Sequence, residues 1–245
     1  MKVVVPFAFV LTMLAACHAK ADNFRIGYYD TADAPFVIIG KNGPVGIFPD
    51  VMAAIVKLTG DTLDQRYFPV KRIFKSFEDG LLDIEVGVNP KWRANSRVPG
   101  VYSKAFGTAK AVLCYRPGEV KTHQEVSDFY GQKIGLIVGY SYPQFDEAFA
   151  NGHIQRADIH SNTSLLLMLK AKRFDQIILG TYVRQYWAKV DPESFACAEG
   201  RMIDESDMML RLNPGKAAAL PRLNAAIDAL KKNGELNAIF KRYMH

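Results

Sequence analysis

The sequence predicts an α/β protein in which mainly parallel sheets are flanked by helices. Two observations carry this. Short β-branched and aromatic runs alternate with amphipathic helical runs, and the alternation resumes near Lys133 with no Gly-, Ser- or Pro-rich linker before it. Parallel strands need long crossover connections, and a helix is the usual crossover, so the alternation argues for helix-covered parallel sheets. Two passes without a linker imply lobes joined by crossing strands rather than beads on a string.

The elements follow in order. Phe24–Tyr29 reads as a strand and Asp30–Pro35 as a loop. Val51, Ile55 and Leu58 share a helical face that Asp50 is placed to cap and Gly60 to end. Leu63–Phe68 is a second strand, Val70–Glu78 a helix stopped by Gly80, and Leu82–Val88 a third strand. The later pass gives strand Lys133–Val138, helices Tyr142–Ala150 and Ser164–Ala171, and strand Gln176–Leu179. Leu220, Leu223, Ile227 and Leu230 form the clearest apolar stripe, with Pro221 in its first turn and Gly234 breaking it before Leu236, Ile239 and Phe240.

Residues 1–21 read as an export signal. Lys2 precedes an apolar run, Val3–Leu14, too short to span a bilayer, and Ala19-Lys20-Ala21 forms a cleavage site before Asp22. Leu14-Ala15-Ala16-Cys17 also fits a lipobox, which would leave a lipid on Cys17. Both readings send the protein out of the cytoplasm. Setting Lys2 and Lys20 aside lowers the formal charge from +6 to +4. That mild excess, with no Lys/Arg run interleaved with aromatics, argues against a nucleic-acid partner. Hydrophobic residues at 49% and charged ones at 23% exclude a disordered chain.

Cys114 and Cys197 remain after Cys17, in an oxidising compartment where a pair can bridge; two buried free thiols are the alternative. His18, His123, His153, His160 and His245 are scattered without ligand spacing, so no metal is expected. No nucleophile–base pair, phosphate loop or metal motif is present, which argues against an enzyme, and no cofactor is expected.

Several segments, taken in order, resemble a known family. They are Phe24-Arg25-Ile26-Gly27 leading to Ala34-Pro35-Phe36, then Gly43 through Val51, Gly80-Leu81-Leu82-Asp83-Ile84, and Lys133 through Ser141. Leu223–Ile227, Gly234-Glu235-Leu236 and Ile239–Tyr243 close the series. Together they resemble the periplasmic solute-binding proteins of the polar amino-acid ABC transporter type, bacterial extracellular solute-binding family 3. The resemblance implies a two-lobed periplasmic-binding-protein (type II) fold, each lobe a mainly parallel sheet flanked by helices, joined by two crossing segments. Lobe I would hold residues 22–108 and 206–245, and lobe II residues 109–205. Val112–Tyr115 and Met202–Asp207 would lie at the crossings. It further implies a monomer that clamps a small-molecule solute and meets a membrane ABC permease.

A carboxylated solute calls for an arginine, whose planar fork meets a carboxylate with two parallel hydrogen bonds. The family's arginine maps onto Arg93, with Asn89 at the preceding polar position; Arg97 is the alternative. Ser141, before a predicted helix N-terminus, would add a hydroxyl to that end's N–H groups, or would act as its N-cap. Tyr28, Phe36 and Tyr142 are candidates to sandwich the apolar part of the solute, or core residues. Arg72 resembles a cleft arginine of one family branch, and a surface helix charge equally. Where the family usually carries an ammonium-binding aspartate, this chain has Gly180 followed by Thr181, so Asp30 or Asp33 would have to substitute. Glu85 interrupts a strand that should be buried, and such a carboxylate is costly unless paired. A non-enzymatic binding protein is the leading expectation. The alternatives are a periplasmic enzyme on the same scaffold, similar to cyclohexadienyl dehydratases, with Glu85 or Asp33 as its acid or base, and a ligand sensor for a separate membrane partner.

Overall fold

A computed structural model describes residues 21–31, 33–122 and 125–244. The segment read above as an export signal, up to Lys20 and including Cys17 and His18, lies outside them, as do His123 and His245.

The chain opens with β1 (Asn23–Tyr29), whose alternate residues Phe24, Ile26 and Tyr28 are buried. A small hairpin, β2 (Ile38–Gly40) and β3 (Gly43–Val45), leads into α1 (Ile47–Thr59). Gly46, not Asp50, is the N-cap of α1, while Gly60 closes it in the left-handed conformation. Asp50 instead accepts from Arg242 and Tyr243 at the far end of the chain. β4 (Thr62–Phe68) runs parallel to β1 over all seven of its residues. α2 (Val70–Glu78) follows and packs Ile73 and Phe77 with Leu82 on the sheet's outer face. β5 (Ile84–Val88) then joins β1 in parallel.

After a short β6 (Val101–Tyr102), the chain enters β7 (Gly107–Tyr115). β8 (Lys133–Ile137), α3 (Pro143–Ala150), β9 (Gln155–Ile159), α4 (Asn162–Lys170) and β10 (Gln176–Gly180) repeat the parallel pattern. α5 (Thr181–Val190) and α6 (Pro192–Phe195) precede β11 (Ala198–Leu212), a strand of 15 residues. α7 (Leu220–Lys232) and α8 (Glu235–Met244) finish the chain against α1.

The strand order β4-β1-β5-β11-β7-β10-β8-β9 contains two parallel groups bridged by β11 and β7. β11 lies antiparallel to β7 from Ala198 to Met208, then changes partner and lies antiparallel to β5 from Met209 to Leu212. These two strands are therefore the crossings between the lobes of a two-lobed α/β fold. The expectation of parallel sheets holds within each lobe and gives way at the crossings. A strand that returns to the first lobe enters beside β5 from the opposite direction, and periodicity carries no sign of direction.

Core formation follows the patterns. Leu223, Ile227 and Leu230 of α7 are fully buried. Leu58, expected on the buried face of α1, is instead 53% exposed. Two ion-pair groups fix the periphery. Arg25 donates from Nε and Nη2 to Asp83 at 2.9 and 2.7 Å, and Arg222 bridges Asp22 and Asp61. Cys114 in β7 and Cys197, just before β11, are joined as a disulfide with Cα atoms 5.6 Å apart, tying the two crossing strands at the lobe II end.

Candidate functional site

A cleft opens between the lobes, about 1130 Å³ including its mouth. It lies beyond the C-terminal ends of β1, β5, β8 and β10, the crevice where open α/β sheets usually bind ligands. Helix N-termini and chain reversals gather there and leave room for side chains that the packed sheet lacks.

Glu85 explains itself at this point. It is 4% exposed and lies between two guanidiniums, Arg93 and Arg211. Arg93 donates from Nη2 and Nε to Glu85 Oε1 at 3.2 and 3.3 Å, while Arg211 Nη1 donates to Glu85 Oε2. Arg211 is 1% exposed, donates to Ser96 and the Val98 carbonyl, and stacks over the Phe77 ring at 4.1 Å. Two cations share one carboxylate, which leaves one positive charge in excess. Arg93 is the member that reaches the cleft. Its guanidinium lies 4.6 Å over the Phe74 ring. Burial would lower its pKa, but the Glu85 carboxylate, with the Tyr29 hydroxyl also bonded to it, holds it above the ordinary arginine range.

Asp33 is the second charged feature. Its position is set by a tight turn in which the Phe36 and Val37 N–H groups donate to its carbonyl at 2.8 and 3.0 Å. Its carboxylate accepts from Asn162 Nδ2 at 2.7 Å and from the Tyr140 hydroxyl, both in lobe II. Burial raises the Asp33 pKa against the pull of those two bonds. Burial and the Asp33 charge together push Tyr140 far up, so its hydroxyl stays a donor.

Aromatic rings supply most of the remaining wall. Phe36 stacks on Phe48 with centroids 4.7 Å apart and meets Tyr182 edge-on at 5.7 Å. Tyr28 lines the cleft while its hydroxyl donates to Gln65 at 2.9 Å. Burial pushes the Tyr29 hydroxyl up to about 12 and those of Tyr28 and Tyr142 higher still, so all three remain neutral. Asp204 on β11 pairs with Lys91 and accepts from Trp92 Nε1 at 3.3 Å, another link between the lobes.

Of the residues expected from sequence, Tyr28, Asp33, Phe36, Arg93, Ser141 and Tyr142 line this cleft. Arg72, Asn89 and Thr181 do not. Arg72 is on the exposed side of α2, over the Phe68 ring. Asn89 caps the turn after β5 through Lys91 N and donates to the Asp207 carbonyl on the outer side of the crossing. Thr181 begins α5, whose neighbours Gly180 and Tyr182 face the cleft in its place. Arg97 is exposed and pairs with Glu78 and Asp79. Ser141 is not the N-cap of α3; Tyr142 is, without a side-chain cap bond, and Pro143 removes one N–H from that helix end. Sequence reasoning missed Tyr29, Phe48, Trp92, Tyr140, Asn162, Tyr182 and Asp204. Tyr140, within Gly139–Tyr142, and Phe48, within Gly43–Val51, lay in segments the sequence singled out. Among the described residues no cluster of His, Cys, Asp and Glu suits a metal, and no helix is long and apolar enough to cross a membrane.

Solved structures similar to this one share the architecture. A Salmonella typhimurium periplasmic binding protein described for high arginine specificity has 19% identity and a TM-score of 0.72, over 92% of this chain and 100% of that one. A Streptococcus pneumoniae ABC uptake transporter substrate-binding protein with bound histidine has 16% identity and a TM-score of 0.73, over 90% and 92%. An ancestral amino acid-binding protein, a precursor of cyclohexadienyl dehydratase, has 17% identity and a TM-score of 0.73, over 91% and 96%. No curated protein matches the chain in sequence. The sequence profile that matches residues 24–245 spans both lobes and both crossings, so the chain belongs to the bacterial extracellular solute-binding proteins, family 3.

Proposed function

We propose that the chain is a non-enzymatic periplasmic protein that closes its lobes on a small polar, carboxylated solute of amino-acid type and presents it to a membrane ABC permease. In this reading lobe I comprises residues 22–108 and 206–245, lobe II comprises 109–205, and the export signal is removed. The observation that carries it is the uneven charge at Glu85: two guanidiniums share one carboxylate beside an aromatic-lined interlobe cleft. Glu85, the Trp92 carbonyl and the Tyr29 hydroxyl engage part of the five-donor fork of Arg93. The excess charge and the remaining donors suit a ligand carboxylate, with Ser141 opposite and the rings of Tyr28, Phe36 and Tyr142 against the apolar part. The relatives named for arginine, histidine and amino-acid binding favour the same solute class. Arg72, Asn89 and Thr181 receive no ligand contact here.

A thermal-shift screen of the purified protein tests this. A cognate solute at about 100 times its Kd should add about 2.7 kcal/mol of stability. Arg93→Ala should abolish the shift while the protein stays folded, because Glu85 keeps Arg211 as its partner. An unchanged affinity in that variant would remove Arg93 from the site.

One observation favours a second reading. Asp33 is a buried cleft carboxyl with a raised pKa, a property of catalytic acids and bases as well as of binding groups. Glu85, locked between two arginines, is unsuited to that role. An enzyme would consume its bound compound on incubation; recovering the compound intact would leave the binding reading standing.

A further inference from the structure

We infer that Tyr243, on the last helix α8, is a positioning residue for solute binding: its hydroxyl completes the N-terminus of α1 and thereby fixes the Phe36–Phe48 stack in the aromatic wall of the cleft. The inference rests on the reading of the cleft as a solute site and adds to it a residue that does not line the cleft.

Two segments singled out in the sequence, Gly43–Val51 and Ile239–Tyr243, meet at this point. A helix N-terminus leaves its first N–H groups without intrahelical partners. In a capping box the N-cap side chain accepts from the third helical residue, and that residue's side chain accepts from the N-cap N–H. In α1 the N-cap is Gly46 and the third residue is Pro49, so neither half of the box can form. Gly46 has φ +122°, and a side-chain carbon there would lie 2.6 Å from the Phe36 carbonyl oxygen, so the usual capping residues do not fit. The partner comes instead from 197 residues away. The Tyr243 hydroxyl accepts from Gly46 N at 3.2 Å and donates to Asp50 Oδ2, in the first turn of α1, at 2.8 Å. A hydroxyl can do both at once. Burial and the bond to Asp50 raise the Tyr243 pKa, so the proton stays on the oxygen.

The next two N–H groups of this helix end tie it to the cleft. Ile47 N donates to the Pro35 carbonyl and Phe48 N to the Phe36 carbonyl, both at 3.0 Å, which sets the Phe36 and Phe48 rings in their stack at 4.7 Å. The Phe48 ring sits on the bare backbone of β5, where a side-chain carbon on Gly87 would lie 2.1 Å from Phe48 Cζ. A seat that close tolerates little movement of the α1 end. One turn before Tyr243, Phe240 meets the Tyr182 ring at 5.5 Å, and Tyr182 meets Phe36 edge-on at 5.7 Å. α8 therefore supports the same wall twice, through α1 of its own lobe and through α5 of the other.

The test uses Tyr243→Phe, which keeps the ring and removes the hydroxyl. Losing a cap shifts a helix-end equilibrium about fivefold. Amide exchange at Gly46, followed by NMR in the solute-free mature protein, should accelerate by about that factor. With the twenty L-amino acids as probes in calorimetry, each probe that binds should bind about fivefold more weakly. Arg242→Ala, which removes an exposed partner of the same Asp50, should leave every affinity within about twofold. In a Phe48→Leu background, Tyr243→Phe should cost little further affinity, because the hydroxyl acts through that ring. A merely structural hydroxyl would lower stability in urea and leave the Kd of the folded protein unchanged. That result, or losses that add in the double variant, would overturn the inference and leave the solute-site reading intact. Slow exchange at Gly46 in the wild type is also required and needs no variant; exchange at the rate of an unprotected loop would overturn the cap even if Tyr243→Phe failed to fold. Binding of no probe at all would count against the amino-acid reading itself and remove this inference with it.

Discussion

Glu85 shows how one residue organises a site it does not itself expose. Placed on a central strand, it holds Arg211 in the core and Arg93 at the cleft wall. Deleting one partner of a buried ion pair leaves the other charge uncompensated, which costs about 3–5 kcal/mol. Glu85→Ala should therefore destabilise by about that amount in urea unfolding, whereas Arg93→Ala should cost much less because the Glu85–Arg211 pair survives. A second residue-scale effect concerns acid. The bonds from Lys216 and Arg222 hold the Asp22 pKa below the usual carboxylate range. Burial would raise Asp83, but its bonds to Arg25 lower it overall. A depressed folded pKa contributes stability above the unfolded value, near 4, and loses it as pH falls through the folded one. The urea midpoint should thus decline below pH 4, and Arg222→Ala should flatten that decline.

At the scale of elements, helix periodicity was legible and its limits are instructive. α7 buries the stripe read from sequence, and Leu223→Ala should cost about 2–5 kcal/mol, since a fully buried leucine leaves a cavity. Leu58 belongs to an equally good stripe in α1, yet it is 53% exposed, so Leu58→Ala should change the unfolding free energy from urea titration by about 0.5 kcal/mol or less. The period selects a face, but tertiary packing decides how far along that face burial extends. The strands divide in the same way. β1, β5, β8 and β10 were legible as short, mainly apolar runs and β4 as a mixed run ending in Tyr67-Phe68, while β9 and the hairpin β2–β3 were not, being short and largely polar or exposed. β7 and β11 were visible only as crossing segments, because their pairing is non-local.

For the whole molecule the question is how the lobes meet. Gly139 has φ +83°, and a side-chain carbon there would lie 2.5 Å from Val70 Cγ1 on α2 of the opposite lobe. Only a residue without Cβ lets that edge of lobe II approach α2 so closely. Gly139→Ala should lose about 1 kcal/mol of intrinsic stability. Its larger effect should be on closure: weaker solute binding and, in small-angle scattering with solute present, a radius of gyration that stays nearer the open value. Equal compaction of variant and wild type would show that the contact is not needed for closure.

The sequence by itself determined what depends on neighbours along the chain: the α/β alternation, the breaks at Gly60 and Gly80, the amphipathic face of α7, and the ordered segments that resemble the family. Through that resemblance it also reached Arg93, Ser141, Tyr142, Tyr28, Phe36 and Asp33 as cleft candidates, together with Arg72, Asn89 and Thr181, which do not line the cleft. Only the tertiary structure decided which of them carry charge unbalanced. Glu85 meets Arg211 across 126 residues, and Asp33 meets Asn162 across 129. Local propensity contains no information on such pairs, because the energy that selects them, the cost of a buried charge, exists only after the chain has folded and excluded water from the cleft.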